Sequence, residues 1–149
     1  MKKFLRFLPL FLIGLFAVSL SACSDNDKDE EHLEVSVLPA QAKSFLDTYY
    51  AGVSVTTVTK DRNEYEVVLS NGHKVDFDAQ GLWEDVDAPA NQTIPTGFYP
   101  SAIDSYVAAN AAGVGINEMS RETYGYEATL VNGLEYRFNA QGDFLGIDY

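Results

Sequence analysis

Apolar and polar residues alternate along residues 65–83, YEVVLSNGHKVDFDAQGLW, and alternate again along residues 126–144, YEATLVNGLEYRFNAQGDF. In the first passage Tyr65, Val67 and Leu69 point one way, and Glu66, Val68 and Ser70 point the other. Beyond the turn, Val75 and Phe77 alternate with Lys74, Asp76 and Asp78. A period of two with one apolar side predicts a half-buried antiparallel pair. A two-residue Asn71-Gly72 turn sets Leu69 opposite Lys74 and Val67 opposite Asp76, which mixes the faces. A three-residue loop, Ser70-Asn71-Gly72, pairs Val67 with Val75 and Tyr65 with Phe77. Register follows the buried face, so the longer loop is expected, with Gly72 and its copy Gly133 at positive φ. Ala79-Gln80-Gly81 repeats the device and sets Trp83 beside Phe77. Tyr126, Phe138 and Phe144 form the matching aromatic row.

A helical pattern runs ahead of each passage. Pro39 suits a first helical turn. Ala42, Phe45, Leu46, Tyr49 and Tyr50 recur on one helical face, and Gly52 is a natural stop. Residues 53–59 are rich in β-branched side chains and predict a strand; residues 83–86 predict a fourth, and 87–91 a linker. The second helix is expected over residues 101–112, with Ile103, Tyr106 and Val107 inward and Gly113 as the stop. Residues 51–87 align with 112–148 without a gap, at an offset of 61, and thirteen of these thirty-seven positions are identical. Upstream, Leu46, Asp47 and Tyr49 match Ile103, Asp104 and Tyr106 at an offset of 57. The second helix is therefore expected to be longer by four residues, 108–111, about one turn. The pattern is a tandem repeat. The expected fold is α+β: two tandem units, residues 37–90 and 91–149, each a helix packed on a four-stranded antiparallel β-meander.

Leu38-Pro39, the YEVVLSNG and VDFDAQGLWEDVD segments, and Ile94-Pro95 resemble the PepSY-like, β-lactamase-inhibitor-like bacterial lipoproteins. The resemblance covers essentially the whole mature domain. It implies a helix on a four-stranded antiparallel sheet, twice. Relatives of that fold inhibit β-lactamases, and PepSY domains accompany peptidases as inhibitory propeptide parts. This chain departs from the secreted inhibitors in lacking their disulfides.

The N-terminus changes the picture of where the protein works. Lys2, Lys3 and Arg6 lead into an apolar run that ends in Ser21-Ala22-Cys23. A basic start, an apolar middle and small residues before the cut make residues 1–22 a secretory signal; the run is short of the roughly 20 residues a membrane span needs. Leu20-Ser21-Ala22-Cys23 resembles the lipoprotein cleavage box, so Cys23 is the expected lipidation site. As the one cysteine, it leaves no disulfide within the chain. Residues 23–36 contain SDNDKDEEHLE and read as an acidic, solvated tether. The acidic run resembles a surface-export signal, with a plain spacer as the alternative. The expected location is the outer membrane, lipid-anchored, at the cell surface or otherwise facing the periplasm. Without the signal, seven basic residues face twenty-two acidic ones, a net charge of −15. Nucleic acid is excluded as a partner for want of a basic footprint, and basic partners are favoured.

Catalytic chemistry is sparse. The histidines are His32, in the tether, and His73, at a hairpin tip. They offer no nucleophile, base and orienting acid together, and for His73 a solvated or neighbour-covering loop role is the plainer reading. No paired histidine or cysteine spacing suggests zinc or iron, and Gly113-Val114-Gly115 lacks the lysine and spacing of a nucleotide loop. Asp76, Asp78, Asp85 and Asp87 could gather around calcium. However, Asp76 and Asp78 fall on a solvent-facing strand and are replaced by Arg137 and Asn139 in the copy. A solvated charged face is simpler, so no metal or cofactor is expected. Glycoside hydrolysis needs paired carboxylates in an enclosed cleft, which nothing in the pattern announces.

The expectation is therefore a non-enzymatic envelope protein that binds a protein or peptide partner and could inhibit a hydrolase. Its contact surface would be the sheet face opposite the helices, with Glu66, Val68, Asp76, Thr129, Val131 and Arg137. The hairpin tips Asn71-Gly72-His73 and Asn132-Gly133-Leu134 would add to it. Tyr99 and Tyr124 fall outside both periodic patterns and are expected as exposed contacts. The alternative is a structural or accessory lipoprotein of an envelope complex. An exposed apolar-aromatic patch favours the first, a uniformly charged sheet face the second, and a closed pocket with convergent polar groups an enzyme.

Overall fold

The computed structural model describes residues 33–148; the signal, Cys23, His32 and the acidic run before it lie outside the described residues. A short 3-10 turn, Val35–Val37, leads into α1 (Ala40–Tyr49). Four strands follow: β1 (Val55–Asp61), β2 (Glu64–Leu69), β3 (Lys74–Phe77) and β4 (Trp83–Asp87). Then come α2 (Ser101–Asn110), β5 (Ile116–Glu122), β6 (Gly125–Leu130), β7 (Glu135–Asn139) and β8 (Phe144–Asp148).

The hairpins take the register that keeps faces separate. Val67 lies opposite Val75 and Tyr65 opposite Phe77, and Tyr126 lies opposite Phe138. Gly72 and Gly133 have φ of 85° and 83°, in the left-handed region that favours glycine. Trp83 lies opposite Phe77, and Phe144 opposite Phe138. The helices cover this apolar face. Phe45 of α1 meets Phe77 edge-on at 5.6 Å, and Tyr106 of α2 stacks on Phe144 at 4.3 Å.

Two expectations fail. The chain does not form two tandem helix-plus-four-strand units. β4 pairs with β5 through Asp85–Ser120, Val86–Met119 and Asp87–Glu118. The result is one continuous eight-stranded antiparallel sheet in the order β1 to β8, mainly β with two helices. The reason is that a free β4 edge exposes unpaired N–H and C=O groups. β5 satisfies them, and Val86 and Met119 become fully buried at the junction. The aromatic core crosses the junction as well. Phe98 packs on Phe45 at 5.2 Å and Trp83 at 4.9 Å, and Trp83 stacks on Tyr126 at 6.1 Å.

The second failure concerns the helices. Each has ten residues, so α2 gains no turn, and the offset of 61 holds through both. The buried positions Ala42 and Leu46 correspond to Ile103 and Val107, and Pro39 corresponds to Pro100. An amphipathic helix shifted by four residues presents nearly the same face. The match at 57 was that self-similarity.

Candidate functional site

Side chains alternate across a strand, so the register also dictates what faces away from the helices. Glu66, Asp76 and Asp85 stand in line across β2, β3 and β4, and the line continues to Ser120 on β5. Alongside run Lys74, Asp87 and Glu118. Glu66, Lys74, Asp76, Asp85, Asp87 and Glu118 line a shallow, open depression. Ser120 is buried in mid-sheet and its hydroxyl donates to Asp85 Oδ2 at 2.7 Å.

Asp76 Oδ1 is buried and has no hydrogen-bond partner. Burial, with the neighbouring charge of Glu66, pushes the Asp76 carboxyl from 3.8 up to about 6 against the opposing pull of Lys74. Burial also raises Asp87, with Lys74 and His73 opposing. Glu84 is raised by burial and then by the charges of Glu64 and Asp78. A face in which burial and like charges penalise ionisation is stabilised by a bound proton or by an added cation.

Asp78, the other sequence candidate for this cluster, sits elsewhere. Its Oδ1 accepts from the backbone N–H groups of Gln80 and Leu82 at 2.9 and 2.8 Å and so closes the hairpin loop. Asn139 does the same in the copy. Glu118 and Ser120 were missed from sequence because only the β4–β5 pairing brings them to Asp85 and Asp87.

The remaining candidates divide. Val68 and Thr129 lie half-buried on the outer face. Val131 lies past the end of β6 and donates its N–H to Gly115. Arg137 pairs with Asp148 at 2.9 Å. Near it, carboxylate oxygens of Glu127, Glu135 and Asp148 lie within 4.8 Å of one another. Tyr124 is exposed and donates its hydroxyl to Glu127 at 3.0 Å.

His73 is not an exposed tip. It is 5% exposed, its Nδ1 lies 3.2 Å from the Tyr50 hydroxyl, and the two rings meet edge-on. Burial holds the imidazole below its ordinary pKa and pushes the Tyr50 hydroxyl up. The copy has Ala111 and Leu134 in these places, and Leu134 stays exposed. Tyr99 is also buried, against expectation, and its hydroxyl donates to Asp104 at 2.7 Å.

The chain is thus a mainly β protein, one antiparallel sheet with both helices on one face and a charged, open opposite face. The chain belongs to the PepSY-like family: the family described as "Putative beta-lactamase-inhibitor-like, PepSY-like" matches residues 26–72 and 63–146. It is similar to a solved structure from Bacteroides thetaiotaomicron described as a "putative calcium-regulated periplasmic protein". That match has 28% identity and a TM-score of 0.74, over 80% of this chain and 96% of that one. Two Bacteroides vulgatus proteins, both described as periplasmic, are also similar. One, of the DUF2874 family, has 29% identity and a TM-score of 0.73 over 82% and 98% of the two chains. The other, described as of unknown function, has 32% identity and a TM-score of 0.71 over 78% and 95%. No curated protein matches the chain. No helix among the described residues is long and apolar enough to cross a membrane.

Proposed function

We propose that this is a non-enzymatic accessory protein of the cell envelope that holds a cationic partner, such as a basic segment of a protein or peptide, on its outer sheet face. The carrying observation is the line of carboxylates Glu66, Asp76 and Asp85, flanked by Asp87 and Glu118, around an Asp76 oxygen with no hydrogen-bond partner. A cation placed there offsets the burial penalty and, after it, the like-charge repulsion that together raise Asp76. The face is charged rather than apolar-aromatic, which supports an accessory role over an inhibitor that docks by apolar contact. The location we propose is a lipid anchor at Cys23 in the outer membrane. Cys23→Ser then releases the protein from membranes, and unchanged membrane retention contradicts the anchor.

A second reading makes calcium the cation. It draws on the carboxylate oxygens that surround Lys74 in the depression, a donor type that suits a hard cation, and on the similar Bacteroides thetaiotaomicron protein described as calcium-regulated. Calorimetric titration of the mature chain with oligolysine, calcium and magnesium separates the two. Oligolysine binding that weakens steeply with salt supports the first reading. Calcium binding selective over magnesium supports the second. Heat from neither ligand sinks both.

A further inference from the structure

Among the described residues the sheet ends in β1 and β8, and the molecule already contains one example of how such edges join. β4 corresponds to β8 and β5 corresponds to β1 at the offset of 61. β4 joins β5 by pairing Asp85 with Ser120 and Val86 with Met119. The corresponding residues at the free ends are Gly146 with Thr59, and Ile147 with Val58.

We propose that a second copy of this chain adds its β1 to β8 in the register by which β5 adds to β4. The two ends carry counterparts of the side chains that the internal junction uses. There, Trp83 stacks on Tyr126 and Arg121 lies 4.7 Å over the Trp83 ring. At the ends these places are held by Phe144, by Tyr65 and by Lys60, which now sits over its own Tyr65. Phe98, which fills the junction between Phe45 and Trp83, corresponds to Val37, 45% exposed. A register irregularity in β8 opposite Arg137 and Phe138 is no bar. β4 carries the same irregularity opposite Asp76 and Phe77 and still takes β5. An open β-edge is the usual template for strand addition, and a head-to-tail contact of this kind is heterologous.

One contact holds the β1 edge closed. The N–H of Leu33 donates to the Val58 carbonyl at 2.8 Å, and Val58 corresponds to Met119, which pairs with Val86 in the junction. Leu33 therefore acts as a cap that leaves when the second copy arrives.

The test is disulfide capture in a full mature chain carrying Cys23→Ser. Directly opposed residues on antiparallel neighbours come close enough for a disulfide. Gly146 has open space where a Cβ would stand, so Gly146→Cys is tolerated. Mixed under mild oxidation, Thr59→Cys and Gly146→Cys chains are expected to give the mixed disulfide in large excess over either homodisulfide. The yield is expected to rise with Leu33→Pro, which removes the capping N–H. A Gly146→Cys homodisulfide as the main product means two-fold β8 pairing and overturns the proposal, as does a monomer in both backgrounds. A mixed-disulfide yield that ignores Leu33→Pro overturns the cap.

Discussion

The halves β1–β4 and β5–β8 are both apolar on one face and differ in the sign of charge at particular positions of the other. Toward the helices, Tyr65, Leu69 and Phe77 recur unchanged as Tyr126, Leu130 and Phe138. Val58, Trp83 and Val86 recur as Met119, Phe144 and Ile147. On the outer face Lys74, Asp76 and Asp85 become Glu135, Arg137 and Gly146. Interior positions stay apolar, but their sizes are exchanged: the buried Val67 and Val75 become the buried Ala128 and Tyr136, which keeps the core filled. On the outer face Lys74 and Asp76 reverse sign as Glu135 and Arg137, whereas Glu66 and Asp87 recur as Glu127 and Asp148. Asp76 stands between two further carboxylates, whereas Arg137 in its place pairs with Asp148. The unpartnered carboxylate oxygen of Asp76 thus lies in the first half, beside the β5 residues that face Asp85 and Asp87.

The largest expected contrast lies within the shared face. Trp83 is buried among Phe45, Phe98 and Tyr126, so Trp83→Ala should cost about 3–5 kcal/mol in urea unfolding. Phe144, its half-buried counterpart at the sheet edge, should cost clearly less. Equal costs would mean that the junction adds nothing to the packing of Trp83.

Next is the pH dependence of Asp76. Its folded-state pKa is raised from 3.8 to about 6, so the folded protein holds that proton more tightly than the unfolded chain. The group's favourable contribution is intact below 3.8 and is lost as pH rises through about 6. Asp76→Asn should therefore stabilise the protein at neutral pH by on the order of 2 kcal/mol. The gain should vanish in acid. His73, depressed by burial, acts in the opposite sense: it favours folding above its ordinary pKa and loses that contribution as pH falls. It is common to both proteins, so the difference profile isolates Asp76. A difference independent of pH refutes the assignment.

Smaller still is a contrast between turns. Gly72 and Gly133 share a left-handed conformation, in which a side chain costs about 1–2 kcal/mol. A Cβ on Gly72 would also meet Pro89 Cγ at 2.9 Å, while one on Gly133 meets nothing within 4 Å. Gly72→Ala should lower the unfolding midpoint more than Gly133→Ala. Smallest is Arg137→Gln, which removes a partly exposed ion pair with Asp148 and should cost about 0–1 kcal/mol.

What could be read from the chain follows the range of the forces involved. Hairpin register was legible because only one pairing keeps Tyr65, Val67, Val75 and Phe77 on one side, and the Asn-Gly loops permit it. The joining of β4 to β5 was not. A strand such as residues 83–87 has the same alternation whether or not another strand lies beside it. With that pairing went Glu118 and Ser120. The offset in the helices was hidden by the helical period itself, which makes a one-turn slip look like a match. His73 was misplaced for a related reason. A polar residue at a hairpin tip reads as solvated until Tyr50, on a distant helix end, turns it inward.

The central claim is that a cation binds the first-half carboxylate line and not acidic surface in general. The direct measurement is calorimetric titration of oligolysine into three mature chains at matched net charge change. One carries Glu66→Gln, Asp76→Asn and Asp85→Asn; the second carries Asp27→Asn, Asp29→Asn and Glu30→Gln in the tether; the third carries Glu127→Gln, Glu135→Gln and Asp148→Asn. The account predicts that binding is lost in the first and retained in the other two. Equal weakening in all three, or loss in the tether variant alone, would contradict it.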